Sequence, residues 1–404
     1  MRLAIVSLLA GASVVAAWTE LSHAPFMSKN IDAIVVPGTY TSHMHTFFGS
    51  DAITNIMPTS ADLQKGCYTG DNPNDLSVYW TPTLYYVDGE TFTEVPIFKF
   101  STYYTNSYSE LAIPQDFAMI SGNASAKTQA EADNPYNDLE WFCEGSEERE
   151  TDIAKMPTST CDQHLQVNLV FPSCVNPDNI MEYDFPDDSN YCPDGMLAIP
   201  QLRYRVLYDT KKVAPNGWSG AAPFQLSCSD TPGDGYCFHA DFINGWFEDA
   251  AENMLIRGGG GYDDGQFIAG EHGSVAAQAS CTATDQDPDN GTSDYSTSLE
   301  MMQNGGAVDN VGDDDSVPVD TTPVATSTPS ATMVVSSSTQ AFPTVSTPMT
   351  TTSIATVAPT PTQSPGDRST VEETETMNSN QEWHHKCSRT IGRKFRKPAA
   401  EQAI

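Results

Sequence analysis

Apolar and polar residues alternate over several stretches of the chain, and this alternation predicts β-strands. It is clearest over residues 165–171 and 202–208, where every second side chain is apolar. That pattern is typical of a strand with one buried face. Residues 79–87 and 90–96 also read as strands, and the Asp88-Gly89 pair between them suits the positive φ angles of a tight hairpin turn. The pattern therefore predicts a fold built mainly of β-hairpins.

The remaining periodic segments complete this prediction. Residues 239–243 read as one more strand, and residues 246–257 read as a helix that ends at a run of four glycines. Short strands joined by long loops are typical of β-sandwiches and related all-β folds. We predict a mostly β protein, an antiparallel sandwich or jelly-roll with long disulfide-pinned loops, followed by a disordered C-terminal tail.

The first apolar run is of a different kind. Arg2 precedes a stretch from Leu3 to Ala17, and small side chains stand at Val15 and Ala17, three and one positions before Trp18. A short positive start, an apolar run and a small-residue site are the features of a secretory signal peptide. We predict a signal peptide over residues 1–17 and a secreted protein, either extracellular or associated with a cell wall, with no membrane span.

The alternation of apolar and polar residues weakens after Cys281, and this change sets the predicted domain boundaries. Residues 18–281 form the β-rich extracellular domain, and residues 282–316 form an acidic Gly/Asp segment interpreted as a solvated linker. Residues 317–382 are rich in Ser, Thr and Pro, a composition typical of an O-glycosylated stalk. Residues 383–404 form a basic tail. An apparent calcium loop at 285–290 fails, because Asn290 occupies the position that needs glycine.

Cysteine usage agrees with export. The sequence has nine cysteines, and eight of them lie between Cys67 and Cys281. In an oxidising compartment this even number predicts about four disulfides, and the short spacing of Cys228 and Cys237 suits a local loop. Cys387 is left over in the tail, free or paired between molecules.

Charge narrows the range of partners. The formal net charge is −34, with 53 acidic and 19 basic residues. Such a field repels nucleic acid, so no nucleic-acid partner is expected. Two sequons, at Asn123 and Asn290, predict N-linked glycans on the surface.

Candidate chemistry is concentrated in two short segments. His43 and His45 flank Met44, and His239 and Asp241 flank Ala240. In extended chain each pair shares one face. Three imidazoles and a carboxylate can bind zinc or copper, with His43, His45 and His239 as metal ligands. The same four residues can instead act as catalytic acids and bases without a metal, with Asp241 orienting a histidine. His23, His164 and His272 are expected to stand apart from them.

Other chemistries have weaker signals. A serine hydrolase is disfavoured because no Gly-x-Ser-x-Gly motif occurs, and an N-terminal histidine brace is disfavoured because predicted cleavage leaves Trp18 first. A carboxylate pair for glycoside hydrolysis stays open, around Asp138, Glu140 and Glu144 or at Asp263 and Asp264. A cluster of aromatic residues offers a carbohydrate-binding alternative, although core packing explains most such clusters: Phe98, Phe100, Tyr103, Tyr104 and Tyr108.

Five short motifs occur in the order expected for a known protein family. They are His43-Met44-His45, Tyr79 to Tyr85 (YWTPTLY), Phe171 to Cys174 (FPSC), Pro200 to Tyr204 (PQLRY) and Phe238 to Trp246 (FHADFINGW). Over residues 31–246 the chain resembles the fungal secreted family DUF1996, a domain of unknown function. It departs from the family pattern at Val175, where Trp is usual, and at Ala240, where Gly is usual.

The resemblance implies work at the cell wall or on polysaccharide, since family members are often joined to wall-binding modules. The preferred hypothesis is an extracellular carbohydrate-active enzyme that acts on cell-wall or plant polysaccharide through His43, His45, His239 and Asp241. The alternative is a non-catalytic cell-wall or carbohydrate-binding protein displayed on its stalk.

Overall fold

The computed structural model of this chain describes residues 17–105, 109–134, 136–187, 191–256, 261–264, 268–273 and 281–304. Almost all of the predicted signal peptide, the whole predicted stalk and the basic tail with Cys387 lie outside these residues. So does Tyr108. The signal peptide, the domain boundaries and the tail therefore stay predictions.

Two larger antiparallel sheets dominate the described residues. The first has six strands in the order β17-β1-β7-β14-β10-β9, with only β1 and β17 parallel. Its strands are β1 Ala17–His23, β7 Ile97–Thr105, β9 Glu140–Cys143, β10 Leu165–Val170, β14 Gln201–Tyr208 and β17 Gly261–Asp264. The second has five strands in the order β2-β3-β4-β16-β8. Its strands are β2 Pro25–Lys29, β3 His45–Gly49, β4 Val78–Pro82, β8 Ala118–Gly122 and β16 His239–Ile243.

Smaller elements surround these sheets in the described part of the chain. A three-stranded sheet has the order β15-β5-β6, with β5 Leu84–Asp88, β6 Thr91–Glu94 and β15 Phe224–Leu226. Another has the order β12-β11-β13, with β11 Cys174–Asn176, β12 Asn179–Asp184 and β13 Leu197–Ala198. The helices are α1 Ser60–Leu63, α2 Gln129–Ala132, α3 Glu248–Ile256 and α4 Tyr295–Gln303, with a 3-10 turn at Thr210–Lys212. No described helix is long and apolar enough to span a membrane.

The two larger sheets face each other across an aromatic core. Phe48 of β3 stacks on Phe100 of β7 with ring centroids 3.9 Å apart. Tyr79 of β4 meets Tyr204 of β14 edge-on at 5.8 Å. These side chains are fully buried, and each such burial stabilises the fold by about 1.5–3 kcal/mol. The prediction of a mostly β antiparallel sandwich is confirmed.

Most of the predicted elements are confirmed, with one difference. The hairpin turn lies at Asp88-Gly89, where Gly89 has φ +62°. The single strand predicted over residues 79–87 is instead two strands, β4 and β5, in different sheets. The chain changes sheets at Thr83, because its N–H donates to the Met44 carbonyl and its carbonyl accepts from Ser227.

Four disulfides connect the loops of the described region, as the cysteine count predicts. They join Cys67 to Cys281, Cys143 to Cys161, Cys174 to Cys192 and Cys228 to Cys237. The last is the local loop expected from the spacing. Several disulfides fit an extracellular protein.

The segment from Cys281 to Asn304, here named the C-terminal strap, packs against the sandwich. Its acidic composition predicts a solvated linker from residue 282 onward. In the structure Asp285 pairs with buried Lys29, and Tyr295 of α4 stacks on Tyr85 with centroids 4.2 Å apart. Folded contacts therefore continue beyond residue 281.

Candidate functional site

The site lies on the face of the five-stranded sheet that points away from the six-stranded sheet. In β16, Ala240 and Phe242 belong to the main core, so His239 and Asp241 project from the opposite face. That face is also covered, because Ile31, Ala33, Ile53 and Leu63 pack onto Phe47, Trp80 and Ile243. The loop between β2 and β3 and helix α1 therefore enclose the polar residues of β16.

Strand register brings the two histidine segments together. His45 of β3 is paired with Pro82 of β4, and Trp80 of β4 is paired with Asp241 of β16. If the pairing of β16 with β4 continues by two more residues, His239 lies next to Pro82. His45 and His239 therefore lie on either side of one central strand, about 9–10 Å apart at the backbone. Both imidazoles lean over Pro82 and meet.

The four predicted site residues form one cluster. His45 Nε2 lies 3.1 Å from His239 Nε2, and Asp241 Oδ2 lies 3.8 Å from the same His239 atom. The His43 ring centroid is 4.2 Å from that of His45 and 5.0 Å from that of His239. The structure thus brings together side chains that are almost 200 positions apart in sequence.

Backbone carbonyls determine which nitrogen of two histidines carries hydrogen. His45 Nδ1 lies 2.9 Å from the Ile31 carbonyl oxygen, and His239 Nδ1 lies 2.8 Å from the Cys237 carbonyl oxygen. A carbonyl oxygen can only accept, so each Nδ1 must be the protonated donor. In the neutral rings, each Nε2 is then an acceptor with a lone pair. The Cys228–Cys237 disulfide holds the chain at the carbonyl that orients His239.

Burial disfavours the charged form of each ionisable group in the cluster. Burial and His239 lower the pKa of His45 well below 6.5, and burial lowers that of His239 to about 4. Burial, with His45 and His239 nearby, also lowers the pKa of His43 well below 6.5. Burial and Asp32 raise the pKa of Asp241 well above 3.8. Such shifts occur most often at functional sites.

Several polar atoms of this cluster lack a protein partner. Both carboxylate oxygens of Asp241 and Nε2 of His43 are buried without a hydrogen bond to any described residue. So is Nε1 of Trp80, whose backbone pairs with Asp241. Most buried polar groups in proteins are hydrogen-bonded. Atoms of this kind can be satisfied by a bound water, an ion or a substrate group.

Access is set by His43. His45, His239 and Asp241 are at most 3% exposed, whereas His43 is half-buried. His43 is therefore the most exposed residue of the cluster, although its Nε2 atom is buried.

Two sets of side chains in the described region have ligand atoms close enough for one metal ion. His45, His239 and Asp241 form one set, while His43 and His239 with Cys228 form the other. Cys228 is bonded to Cys237, so its sulfur is not a thiolate and the second set lacks a full ligand trio. The predicted metal trio of His43, His45 and His239 shares two members with the first set. Binding of zinc or copper by these side chains stays a prediction.

Sequence reasoning missed two residues of this site. Asp32 lies in the enclosing loop, where its carboxylate accepts from the N–H groups of Ile34 and Val35, and it acts electrostatically on Asp241. Trp80 belongs to a motif noted only for the family resemblance. An aspartate in a loop and a tryptophan in an apolar strand give no local signal of a site.

The other candidate residues have partners elsewhere. His23 contacts Thr102 in the main core, His272 contacts Phe247, and His164 pairs with Glu144 at 2.6 Å. Glu140, a candidate for glycoside hydrolysis, pairs with Arg149. Of the aromatic residues described from that predicted cluster, Phe98 is exposed and the others are buried: Phe100, Tyr103 and Tyr104. Side chains of Asp263 and Asp264 lie outside the described part of the structure.

Fold and site together define a disulfide-bonded antiparallel β-sandwich with a buried cluster of three histidines and an aspartate. Residues 32–246 match the model of the family described as Domain of unknown function (DUF1996), and the chain belongs to this family. The match includes all four cluster residues and ends before the C-terminal strap. No curated protein and no solved structure matches the chain.

Proposed function

We propose that this protein is secreted and acts on cell-wall or plant polysaccharide through His43, His45, His239 and Asp241. The observation that carries the proposal is the convergence of these four side chains, with partnerless polar atoms, beneath one half-buried histidine. A cluster with only a structural role would be expected to satisfy its polar groups internally. The polysaccharide follows from the predicted export, the predicted stalk and the family resemblance.

The chemistry assigned to each residue follows from its position. His43 is the most exposed of the four residues, so it is assigned to contact the substrate, and its neutral ring can accept a proton from a hydroxyl group or a water. His45 and His239 are oriented by backbone carbonyls, which fixes the direction of their Nε2 atoms. Asp241 supplies the carboxylate that compensates positive charge in the cluster.

The test is an activity screen of the secreted chain on β-glucans, chitin, cellulose and xylan, with released products identified by mass spectrometry. We expect His45→Ala and His239→Ala to reduce product formation at least ~100-fold, in line with the loss of a catalytic acid, base or ligand. His164→Ala is the matched control, because His164 pairs with Glu144 outside the cluster. Unchanged activity of both cluster variants would refute the proposal.

A separate observation favours the non-catalytic alternative. The rings of Tyr136 and Phe185 stack with their centroids 6.0 Å apart. Tyr191, which is close to Phe185 in sequence, is 72% exposed. Exposed aromatic rings can stack on sugar faces. Pull-down with insoluble polysaccharide that is lost in Tyr136→Ala and Tyr191→Ala, but kept in His45→Ala, would support a binding protein instead.

A further inference from the structure

The Nε2 atoms of His45 and His239 form an unfavourable contact between two hydrogen-bond acceptors. Each Nδ1–H of His45 and His239 is committed to a backbone carbonyl, so two Nε2 lone pairs face each other at 3.1 Å. Two neutral acceptors at this distance repel each other. Only a positively charged group between them, a proton or a metal ion, turns the contact into an attraction.

A shared proton resolves only part of the conflict. It would join the two Nε2 atoms, but it would leave both Asp241 oxygens without a hydrogen bond from any described residue. A cation that accepts several ligands satisfies the two nitrogens and the carboxylate at once.

The spacing of the ligand atoms suits a small divalent ion. Tetrahedral zinc, with bonds of about 2.0–2.1 Å to nitrogen and oxygen, needs ligand atoms about 3.3 Å apart. The observed separations are 3.1 Å from His45 Nε2 to His239 Nε2 and 3.8 Å from His239 Nε2 to Asp241 Oδ2, and all three ligand atoms lie within 4.8 Å of one another. Two imidazoles and one carboxylate are ligands that zinc and related first-row ions accept, whereas calcium and magnesium prefer all-oxygen sites.

We infer that His45 Nε2, His239 Nε2 and the Asp241 carboxylate bind one divalent transition-metal ion of the zinc class, with its open coordination position facing His43. The Ile31 and Cys237 carbonyls act as the outer shell that fixes ring orientation, a role usual for hydrogen-bond partners of metal-bound histidines. This ligand set does not depend on any polysaccharide substrate.

A set of three protein ligands is typical of a metal site with one open coordination position. Structural zinc sites are usually closed by four protein ligands, whereas catalytic sites keep one position open. Here the candidate fourth neighbour is His43, the half-buried member of the cluster. The open position is therefore on the accessible side.

The experiment is metal analysis of the full secreted chain, stripped with chelator, reloaded with Zn²⁺ and desalted. We expect about one zinc ion per chain in the wild type and in the His164→Ala control, by analogy with known three-ligand sites. His45→Ala, His239→Ala and the isosteric Asp241→Asn should each lower occupancy at least ~10-fold, because each removes a ligand. His43→Ala should keep most of the metal, because it removes no ligand.

Two outcomes would overturn the inference. One is a wild-type protein that takes up neither Zn²⁺, Cu²⁺, Mn²⁺ nor Fe²⁺, which would leave the shared proton as the resolution. The other is an Asp241→Asn protein with wild-type occupancy beside a metal-free His43→Ala protein, which would refute the ligand set. Near-ultraviolet circular dichroism and melting temperature establish that each variant is folded, and bound Zn²⁺ should raise Tm in the wild type but not in Asp241→Asn.

Discussion

Lys29 and Asp285, 256 positions apart, form an ion pair in which the Lys29 ammonium donates to both carboxylate oxygens at 3.0 and 2.8 Å. Lys29 is 2% exposed, and the Asp287 carbonyl also accepts from its ammonium. Lys29 is the register partner of His45 across β2 and β3. The C-terminal strap, which lies beyond the family match, is thus bonded to the strand beside the histidine cluster.

Asp285→Asn should destabilise the protein by about 1–3 kcal/mol, because it leaves a buried charged donor without its acceptor charge. Chemical denaturation at neutral pH measures this change. Asp209→Asn is the matched control, since Asp209 pairs with the exposed Lys212 and little change is expected there. Equal midpoints for wild type and Asp285→Asn would show that the pair does not hold the strap.

The aromatic contact of the strap makes a second prediction. Tyr295 stacks on Tyr85 and packs in one cluster with Met44, which lies between His43 and His45. Tyr295→Ala should lower the free energy of unfolding by about 3 kcal/mol, as large-to-small changes at buried aromatics do. Met302→Ala on the exposed side of the same helix should change it little. If a chain ending at Cys281 melts like the wild type, the strap contributes nothing to stability.

The strap also shows where sequence reasoning reaches its limit. Residues 282–304 are acidic and poor in apolar side chains, so their composition favours a linker, and only the fold reveals the buried lysine that Asp285 neutralises. By contrast, the period-two pattern identified β16 and placed His239 and Asp241 on one face without any knowledge of the partner strands.

The same contrast holds within the site. The spacing of His43 and His45 predicted a shared face, and the structure brings both to His239. Their hydrogen-bonding states could not be predicted, because they depend on the Ile31 and Cys237 carbonyls, which loop conformation places. Asp32 was missed for the same reason: its effect on Asp241 comes from proximity across a loop.

A buried carboxyl group in the main core makes a pH prediction. Asp75 is fully buried and accepts from the Tyr79 hydroxyl at 2.6 Å, and burial raises its pKa from 3.8 to about 7. An acid with a raised pKa binds more protons folded than unfolded between these values. Its contribution to stability therefore falls as pH rises from about 4 to about 7.

Denaturation of wild type and Asp75→Asn at several pH values isolates this contribution. The comparison is needed because burial lowers the pKa of neighbouring His23 to about 3, which gives wild-type stability the opposite trend over pH 3–6.5. We expect the stability of wild type relative to Asp75→Asn to be greatest near pH ~4 and to decline towards pH ~8. A difference in stability between the two proteins that stays constant with pH would contradict the raised pKa of Asp75.

Gly122 links strand packing to the position of His239. It has φ +91° and is the register partner of His239 across β8 and β16. A Cβ at this position would lie 2.6 Å from the Phe238 carbonyl oxygen and 2.8 Å from the His239 Cα, so Gly122→Ala must displace the start of β16. Gly195 has a similar φ of +89°, but a Cβ there would meet no atom within 4 Å, so Gly195→Ala carries only the backbone cost.

Gly195→Ala should therefore cost about 1–2 kcal/mol, and Gly122→Ala about 2–5 kcal/mol because overpacking adds to the backbone cost. The two variants should differ more sharply in their effect on the histidine cluster. In the wild type and in Gly195→Ala, nuclear magnetic resonance should show slowly exchanging imidazole N–H protons for His45 and His239, which bond to buried carbonyls. Gly122→Ala should lose or shift the His239 signal, since displacement of β16 separates Nδ1 from the Cys237 carbonyl. An unchanged His239 signal in Gly122→Ala would mean that its ring is held by the cluster itself and not by the position of its strand.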